Sequence, residues 1–363
     1  MSPVTAKHRA PVFHRLAVRE VRTDTDDALV VTFAVPPELQ DDYRWLPGQH
    51  VTLRMPDVQP DVRRSYSICS KPGDPLRVGI KRLDGGRFST WAMSSLRVDD
   101  VVDVMTPSGS FTIHCDATAA RHIVAIAAGS GITPIRSIVE AVLDREALSR
   151  VTLLFVNRSA ADAMFLDELA DLKDRYLQRF AVWHVFTREG RDTDLLSGHV
   201  DTEHADDLID RGILASDADA FYLCGPVGFV ENVRLALLRR GVPTQRTHVE
   251  LFTSSTAPPP TRPARVADHA DVACVATVIL DGRSTTVPLA PGEPVLDAAL
   301  RVRSEVPYSC RSGACSTCRA LLREGDVDMA ATFGLEDDEL ADGYVLTCQA
   351  VPSSPRVVVD YDA

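Results

Sequence analysis

Three thiols crowd the stretch SCRSGACSTC, Ser309 to Cys318, and a fourth stands further on in VLTCQA. Cys310, Cys315, Cys318 and Cys348 are therefore spaced C-x4-C-x2-C with a distant fourth. Only a short loop that wraps a common centre can use three thiols so close together. That requirement constrains the end of the chain more tightly than any hydrophobic pattern does.

Eight cysteines scattered over 363 residues do not make a disulfide scaffold. The start, MSPVTAKHRAPVF, has no apolar stretch suited to a signal peptide, and no run of eighteen apolar residues occurs anywhere. The expectation is a cytoplasmic chain with no membrane contact, where clustered thiols serve metal or redox chemistry. A C-x4-C-x2-C run with a lone fourth cysteine matches the plant-type 2Fe-2S pattern. Zinc more often takes two C-x2-C pairs, so iron-sulfur is favoured and a non-redox zinc module is the distant rival. Gly313 and Ala314 supply small residues for the tight turns, letting backbone N–H groups point at the sulfurs. Cys69, Cys115, Cys224 and Cys274 share no spacing and read as buried small hydrophobes, although Cys224 sits in a motif of its own.

The length fits two or three domains, and 45% hydrophobic with 25% charged residues excludes a disordered chain. From Phe13 to Ile113, short alternating runs such as ALVVTFAV and HVTLRM are broken by Gly, Pro and Asp, which predicts an antiparallel β-barrel over 10–115. After His122 the rhythm changes to continuous apolar runs separated by helix-length amphipathic stretches, which predicts a doubly wound α/β sheet over 116–252. Residues 253–270, rich in Pro, Ser, Thr and Ala, read as a linker. Beyond it, VATVIL and STTVPL flank Asp281-Gly282, a strong hairpin signal, and EPVLDAALRV offers a helix, so a small α+β domain spans 271–363. This last domain carries 15 acidic and 7 basic residues, a net −8 out of −12. Such a charge excludes duplex nucleic acid as a partner and suits a basic protein face.

Two motifs in the sheet region speak to nucleotides. In AIAAGSGITPIRSIV, Gly129 and Gly131 close a strand, with Thr133 as the expected N-cap and Pro134 at the first helical position. Such a turn can hold a pyrophosphate on its N–H groups. The next strand ends in Asn157-Arg158-Ser159, a cation and a hydroxyl without a carboxylate. That end suits the 2′-phosphate of NADPH better than the ribose diol of NADH, although NADH remains an alternative donor. In the barrel, Arg64, Tyr66 and Ser67 of RRSYSIC pair a phosphate-binding fork with an aromatic face and a hydroxyl. Gly85, Gly86 and Ser89 of GGRFSTWAM open a helix and offer a second anion site.

Together RRSYSIC, AIAAGSGITP and LCGP resemble the ferredoxin-NADP reductase-like flavoproteins. The resemblance implies that Tyr66 flanks the isoalloxazine ring, that Arg64 meets the flavin phosphate and that Ser67 bonds the flavin N5. It also assigns Ile80, Lys81, Gly85, Gly86, Phe88 and Ser89 to the flavin site, and the pyrophosphate position implies FAD. Cys224 would lie beside the nicotinamide, with Gly225 and Pro226 shaping the pocket, and Glu250 of HVELF would be the acidic residue near the flavin. Ser67, Cys224 and Glu250 are thus the candidate catalytic residues.

A nicotinamide gives two electrons at once and a 2Fe-2S cluster takes one, so the flavin between them must divide the pair. The expected relay runs from NAD(P)H through FAD and the cluster to an outside acceptor. Stretches outside the cofactor motifs, among them MFLDELADLKDRY and GYVLTCQAVPSSPRVVVDYDA, resemble the reductase components of the diiron epoxidases that act on phenylacetyl-CoA. That resemblance implies an oxygenase partner of the diiron type. Reductases of steroid-ring Rieske monooxygenases share the domain order and are the second reading.

Overall fold

In the computed structural model, residues 11–56, 58, 61–190, 193–252 and 274–363 are described. The expected linker at 253–270 lies outside the described residues.

Alternation along a strand buries every second side chain, and a sheet curled on itself gathers those side chains into one core. The first module does this with β1 (Phe13–Thr25), β2 (Ala28–Ala34), β3 (His50–Arg54), β4 (Arg63–Ser67), β5 (Arg77–Lys81), the helix α1 (Arg87–Ser95) and β6 (Val101–Met105). The strands pair antiparallel in the order β4-β3-β6-β1-β2-β5. A bridge between Ile68 and Val78 joins the two edges into a barrel, filled by Leu16, Val31, Phe33, Leu53, Val78 and Ile80.

The second module is a parallel sheet, apolar on both faces because helices cover both. Its elements are β7 (His122–Ala128), α2 (Ile132–Arg145), β8 (Arg150–Asn157), α3 (Leu166–Arg175), β9 (Phe180–Phe186), α4 (Thr202–Asp210), β10 (Ala220–Gly225), α5 (Val227–Arg239) and β11 (Thr247–Leu251). The order β11-β10-β7-β8-β9 reverses between β7 and β10. At such a reversal the connections leave in opposite directions and open a ligand crevice beyond the strand ends. Glu168 of α3 ties this sheet to the barrel, lying 2.6 Å from Arg22, 3.0 Å from Arg77 and 2.7 Å from Arg136 of α2.

The third module comprises β12 (Cys274–Leu280), β13 (Arg283–Leu289), α6 (Val295–Leu300), β14 (Arg319–Glu324), β15 (Val327–Met329), α7 (Asp337–Ala341), β16 (Tyr344–Leu346), β17 (Ala350–Pro352) and β18 (Arg356–Asp360). Its mixed sheet runs β13-β12-β18-β14-β16. Asp281 and Gly282 both take positive φ, 53° and 68°, the geometry that a two-residue hairpin turn demands. The module rests against the barrel. The Arg63 guanidinium lies 4.0 Å over the Tyr308 ring, and its Nη1 donates to the Val306 carbonyl at 3.4 Å.

One local expectation fails. Thr133 is not the N-cap of α2 and Pro134 is not its first residue: the helix starts at Ile132, capped by Gly131, after a 3-10 turn over Gly129–Gly131. Pro134 is tolerated because the N–H it lacks belongs to the first turn, where no intrahelical acceptor exists. The Thr133 hydroxyl donates back to the Ser130 carbonyl at 2.9 Å.

Candidate functional site

The four thiols gather where the loop before β14 meets the turn before β17. They fall into two pairs of thiols that shift each other's acidity, Cys310 with Cys315 and Cys318 with Cys348. The Cys315 thiol holds Cys310 down at about 5 while Cys315 itself is pushed well up. Among the described residues, no three His, Cys, Asp or Glu side chains close on one metal ion. Two pairs of thiols suit two irons better than a single tetrahedral zinc. The surroundings fit as well, because sulfide and thiolate sulfur accept hydrogen bonds. Cys310 N–H points at Cys315 Sγ and Ser312 N–H at Cys310 Sγ, both at 3.4 Å, and Gln349 Nε2 lies 3.5 Å from Cys348 Sγ. Gly313, with φ of 77°, permits the turn, and a Cβ there would press to 2.8 Å from the Ala331 carbonyl oxygen.

At the switch point, three residues distant in sequence meet. Ser67 Oγ, at the end of β4, donates to Glu250 Oε2 at 3.2 Å, and Cys224 Sγ lies 3.7 Å from the same oxygen. Cys224 and Glu250 are register partners in β10 and β11, so the sheet sets their spacing. Loss of water pushes the Glu250 carboxyl up to about 7, an effect that the bonds from Ser67 and Cys224 only partly offset. Burial, and then the Glu250 charge, push the Cys224 thiol well above its ordinary value, so it stays protonated. This cluster can hold a proton near neutrality while presenting no strong nucleophile.

Beside it lie the residues assigned to a flavin. Tyr66 is half-buried, its ring 5.5 Å from Phe88, which in turn sits 5.3 Å from Trp91. Arg64 shares the strand face of Tyr66 and donates to the carbonyl of Arg63, at 2.7 Å. Gly86 caps α1 without any side-chain hydrogen bond, leaving first-turn N–H groups for an anion. Gly85, with φ of 72°, faces open space. Ser89 is occupied, its hydroxyl accepting from Leu83 N–H at 3.1 Å, so it shapes the turn. The Ile80 side chain lies within the barrel core, and Lys81 is held by Asp27 at 2.8 Å and the Asp162 carbonyl at 3.0 Å. Those two side chains belong to the frame of the site.

The turn after β7 shows why its glycines stand where they do. A Cβ on Gly131 would lie 2.2 Å from the Cys224 carbonyl oxygen, so only glycine lets α2 approach β10. Gly129, with φ of 55°, faces empty space where a pyrophosphate could reach the start of α2, whose N-cap Gly131 supplies no side-chain hydrogen bond. Gly225 and Pro226 continue β10 into α5, with Pro226 as its N-cap. Asn157 is buried at the end of β8 and its Nδ2 has no partner among the described residues, a donor that fits a nucleotide. Arg158 is less free than its sequence position implies: it pairs with Asp27 at 3.1 Å and Asp162 at 2.9 Å. Ser159 Oγ donates to Asp162 as well.

Sequence reasoning missed two neighbours. At the end of β9, Thr187 and Arg188 donate their N–H groups to the carbonyls of Asn157 and Arg158, at 2.9 and 2.8 Å. Arg188 is exposed, which brings a second guanidinium to the same rim. The stretch VFTREG carries the same signal as the strand end before it, a cation after an apolar run. His50, 3% exposed and facing the thiol module, was missed too, because nothing in its local sequence marks it.

A barrel with an aromatic-hydroxyl strand, a parallel sheet with a glycine turn at its switch point and a four-thiol module define a flavin and iron-sulfur oxidoreductase. Family models match accordingly: oxidoreductase FAD-binding domain over 16–113, oxidoreductase NAD-binding domain over 125–235, and 2Fe-2S iron-sulfur cluster binding domain over 278–353. The chain is 41% identical to one of the subunits of 1,2-phenylacetyl-CoA epoxidase from Escherichia coli, over 97% of this chain and 98% of that one. It is 36% identical to the ferredoxin reductase component of 3-ketosteroid-9-alpha-monooxygenase from Mycobacterium tuberculosis, over 96% and 95%. Among solved structures, phthalate dioxygenase reductase shares the fold, with a TM-score of 0.59 at 23% identity, over 96% of this chain and 98% of that one. The chain belongs to this family of reductase components, oxidoreductases built from FAD-, NAD- and 2Fe-2S-binding domains. No helix among the described residues is long and apolar enough to cross a membrane.

Proposed function

We propose that the chain carries electrons from NADPH, through FAD and a 2Fe-2S cluster, to a diiron oxygenase that epoxidises phenylacetyl-CoA. The observation that carries the choice of partner is the 41% identity, end to end, with a component of the phenylacetyl-CoA epoxidase. FAD, when bound, accepts a hydride and releases electrons singly to the cluster. The modules would be 10–115 for FAD, 116–252 for the nicotinamide and 271–363 for the cluster, joined through 253–270.

The remaining work falls to the side chains. The starts of α1 and α2, with Gly85, Gly86, Gly129 and Gly131, bind pyrophosphates, and Arg64 adds charge. Tyr66 would lie against the flavin ring and Ser67 would supply a hydroxyl to its N5. Cys224 and Glu250 floor the nicotinamide pocket and hold a proton there. Asn157, Ser159 and the pair Arg158 and Arg188 grip the adenosine end and its phosphate. Cys310, Cys315, Cys318 and Cys348 hold the irons.

Anaerobic titration of the purified holoprotein with NADPH, then NADH, followed by flavin and iron-sulfur absorbance, tests the relay. Bleaching of both chromophores, faster with NADPH, is expected; a colourless or zinc-loaded protein overturns it. The 36% identity to the ketosteroid monooxygenase reductase favours a second partner, a steroid-ring oxygenase. Reduction of the purified diiron component, but not of a ketosteroid oxygenase, decides for the first.

A further inference from the structure

The seam between the barrel and the thiol module is closed by a residue that the relay has not yet used. His50 begins β3, and its cross-strand partner is Ser67 of β4. Directly paired residues project to the same face, so the ring of His50 stands beside the hydroxyl that contacts Glu250. His50, Glu250, Cys315 and Phe333 line one crevice. Within it His50 Nε2 lies 3.3 Å from Thr317 Oγ1, and that oxygen lies 3.3 Å from Cys315 Sγ. Nε2 is also 3.3 Å from Ser108 Oγ, and the Thr317 hydroxyl is 3.4 Å from the Cys315 carbonyl. The backbone is fitted to the ring, since a Cβ on Gly109, at φ of 114°, would sit 2.8 Å from His50 Nδ1.

We propose that His50 is the positioning residue for electron passage from flavin to cluster: its Nε2–H donates to Thr317 Oγ1, which turns the Thr317 hydroxyl hydrogen onto Cys315 Sγ. The assignment rests on the relay proposed above. While Cys315 keeps its proton, its Sγ donates to Thr317 Oγ1 and the Thr317 hydroxyl donates to the Cys315 carbonyl. A cysteine that ligates iron has lost that proton, its sulfur only accepts, and the hydroxyl becomes the donor across the 3.3 Å contact. The hydroxyl oxygen is then free to accept from the imidazole that faces it. Burial pushes the His50 ring down to about 4, which leaves it neutral, with a single N–H, at physiological pH. The chain of two hydrogen bonds does two things. It locks the thiol module onto the flavin barrel, and it adds a donor to a cluster ligand, which raises the reduction potential and eases uptake of an electron. Each electron leaves the NAD(P)H-reduced flavin and enters the oxidised cluster, and no bond to His50 is made or broken.

The test uses the full-length holoprotein in anaerobic stopped flow with NADPH, reading the flavin and cluster bands separately, with electron paramagnetic resonance of the chemically reduced cluster. Thr317→Val, which keeps the shape and removes the hydroxyl, should leave flavin reduction at the wild-type rate. It should slow cluster reduction on the order of tenfold, the loss typical of an outer-shell partner, and move the cluster g-values. Thr317→Ser should restore both. His50→Leu should match Thr317→Val, His50→Gln should recover most of the rate, and the double variant should be no slower than either single one. Wild-type cluster kinetics and g-values in Thr317→Val overturn the proposal, and that variant decides alone if His50→Leu does not fold. Flavin that NADPH cannot reduce in the unaltered protein gives a different trace and overturns the relay, and this assignment with it.

Discussion

Ser67 and Glu250 are 183 residues apart in the chain, yet the hydroxyl of one donates to the carboxylate of the other at 3.2 Å. The contact joins the last residue of a barrel strand to the outermost strand of the parallel sheet. It places an acid of altered strength at the junction of the two modules, with the Cys224 thiol 3.7 Å from the same carboxylate oxygen.

Glu250 gives the fold a pH dependence with a definite sign. Its folded pKa, about 7, is raised above the ordinary 4.5, so its contribution to stability is complete below about pH 4.5 and is lost as pH rises through 7. Glu250→Gln removes that liability. Thermal melts should show the variant gaining on the wild type at pH 8 and matching it at pH 5; an equal difference at both values would refute the shift.

Removal of any one thiol of the quartet should empty the cluster. Cys310→Ser and Cys348→Ser should lose the bound iron and the iron-sulfur absorbance while retaining flavin and its reduction by NADPH. Cys69→Ser, altering a fully buried thiol outside the quartet, should retain iron in full. Iron analysis and visible spectra of the three proteins check the assignment.

Gly129 and Gly131 are required for different reasons, and substitution can tell them apart. Gly129→Ala meets no neighbour but must hold φ of 55°, a strain of about 1–2 kcal/mol that Asn bears better. Gly131 has an ordinary φ of −60°, and its obstacle is the Cys224 carbonyl oxygen, 2.2 Å from a Cβ. Gly131→Ala should cost about 1–3 kcal/mol of overpacking, and Gly131→Ser should be no milder. Denaturation midpoints should therefore show partial rescue by Asn at 129 and none by Ser at 131.

Coenzyme choice should depend more on Arg188 than on Arg158. The charge of Arg158 is already shared with Asp27 and Asp162, whereas Arg188 stands exposed on the same rim. Arg188→Ala should raise the KM for NADPH several-fold more than that for NADH, and Arg158→Ala should discriminate less. Steady-state kinetics with both coenzymes check this, and equal effects of Arg188→Ala on the two would refute it.

The cysteine spacing, the change from alternating to continuous apolar runs and the Asp281-Gly282 turn were all legible in the sequence. Each is a local pattern whose period or spacing directly reflects backbone geometry. The start of α2 was misread because Thr133 and Pro134 have the composition of a cap and a first residue, while Gly131 caps the helix through a close approach to β10 that no local rule records. Of the two carboxylates that share the charge of Arg158, Asp162 stands four residues on and is within reach of a local reading, whereas Asp27 lies far back in the barrel and only the packing of the two modules brings it there.

By itself the sequence determined the three modules, their order and the candidate residues for iron, flavin and nucleotide, because secondary-structure period and ligand spacing are written along the chain. Only the tertiary structure decided which of those residues meet: Ser67 with Glu250 and Cys224, Arg63 with Tyr308, and His50 with Thr317. Such contacts depend on how whole modules pack, and packing is set by the shapes of complete surfaces, which no short stretch of sequence contains.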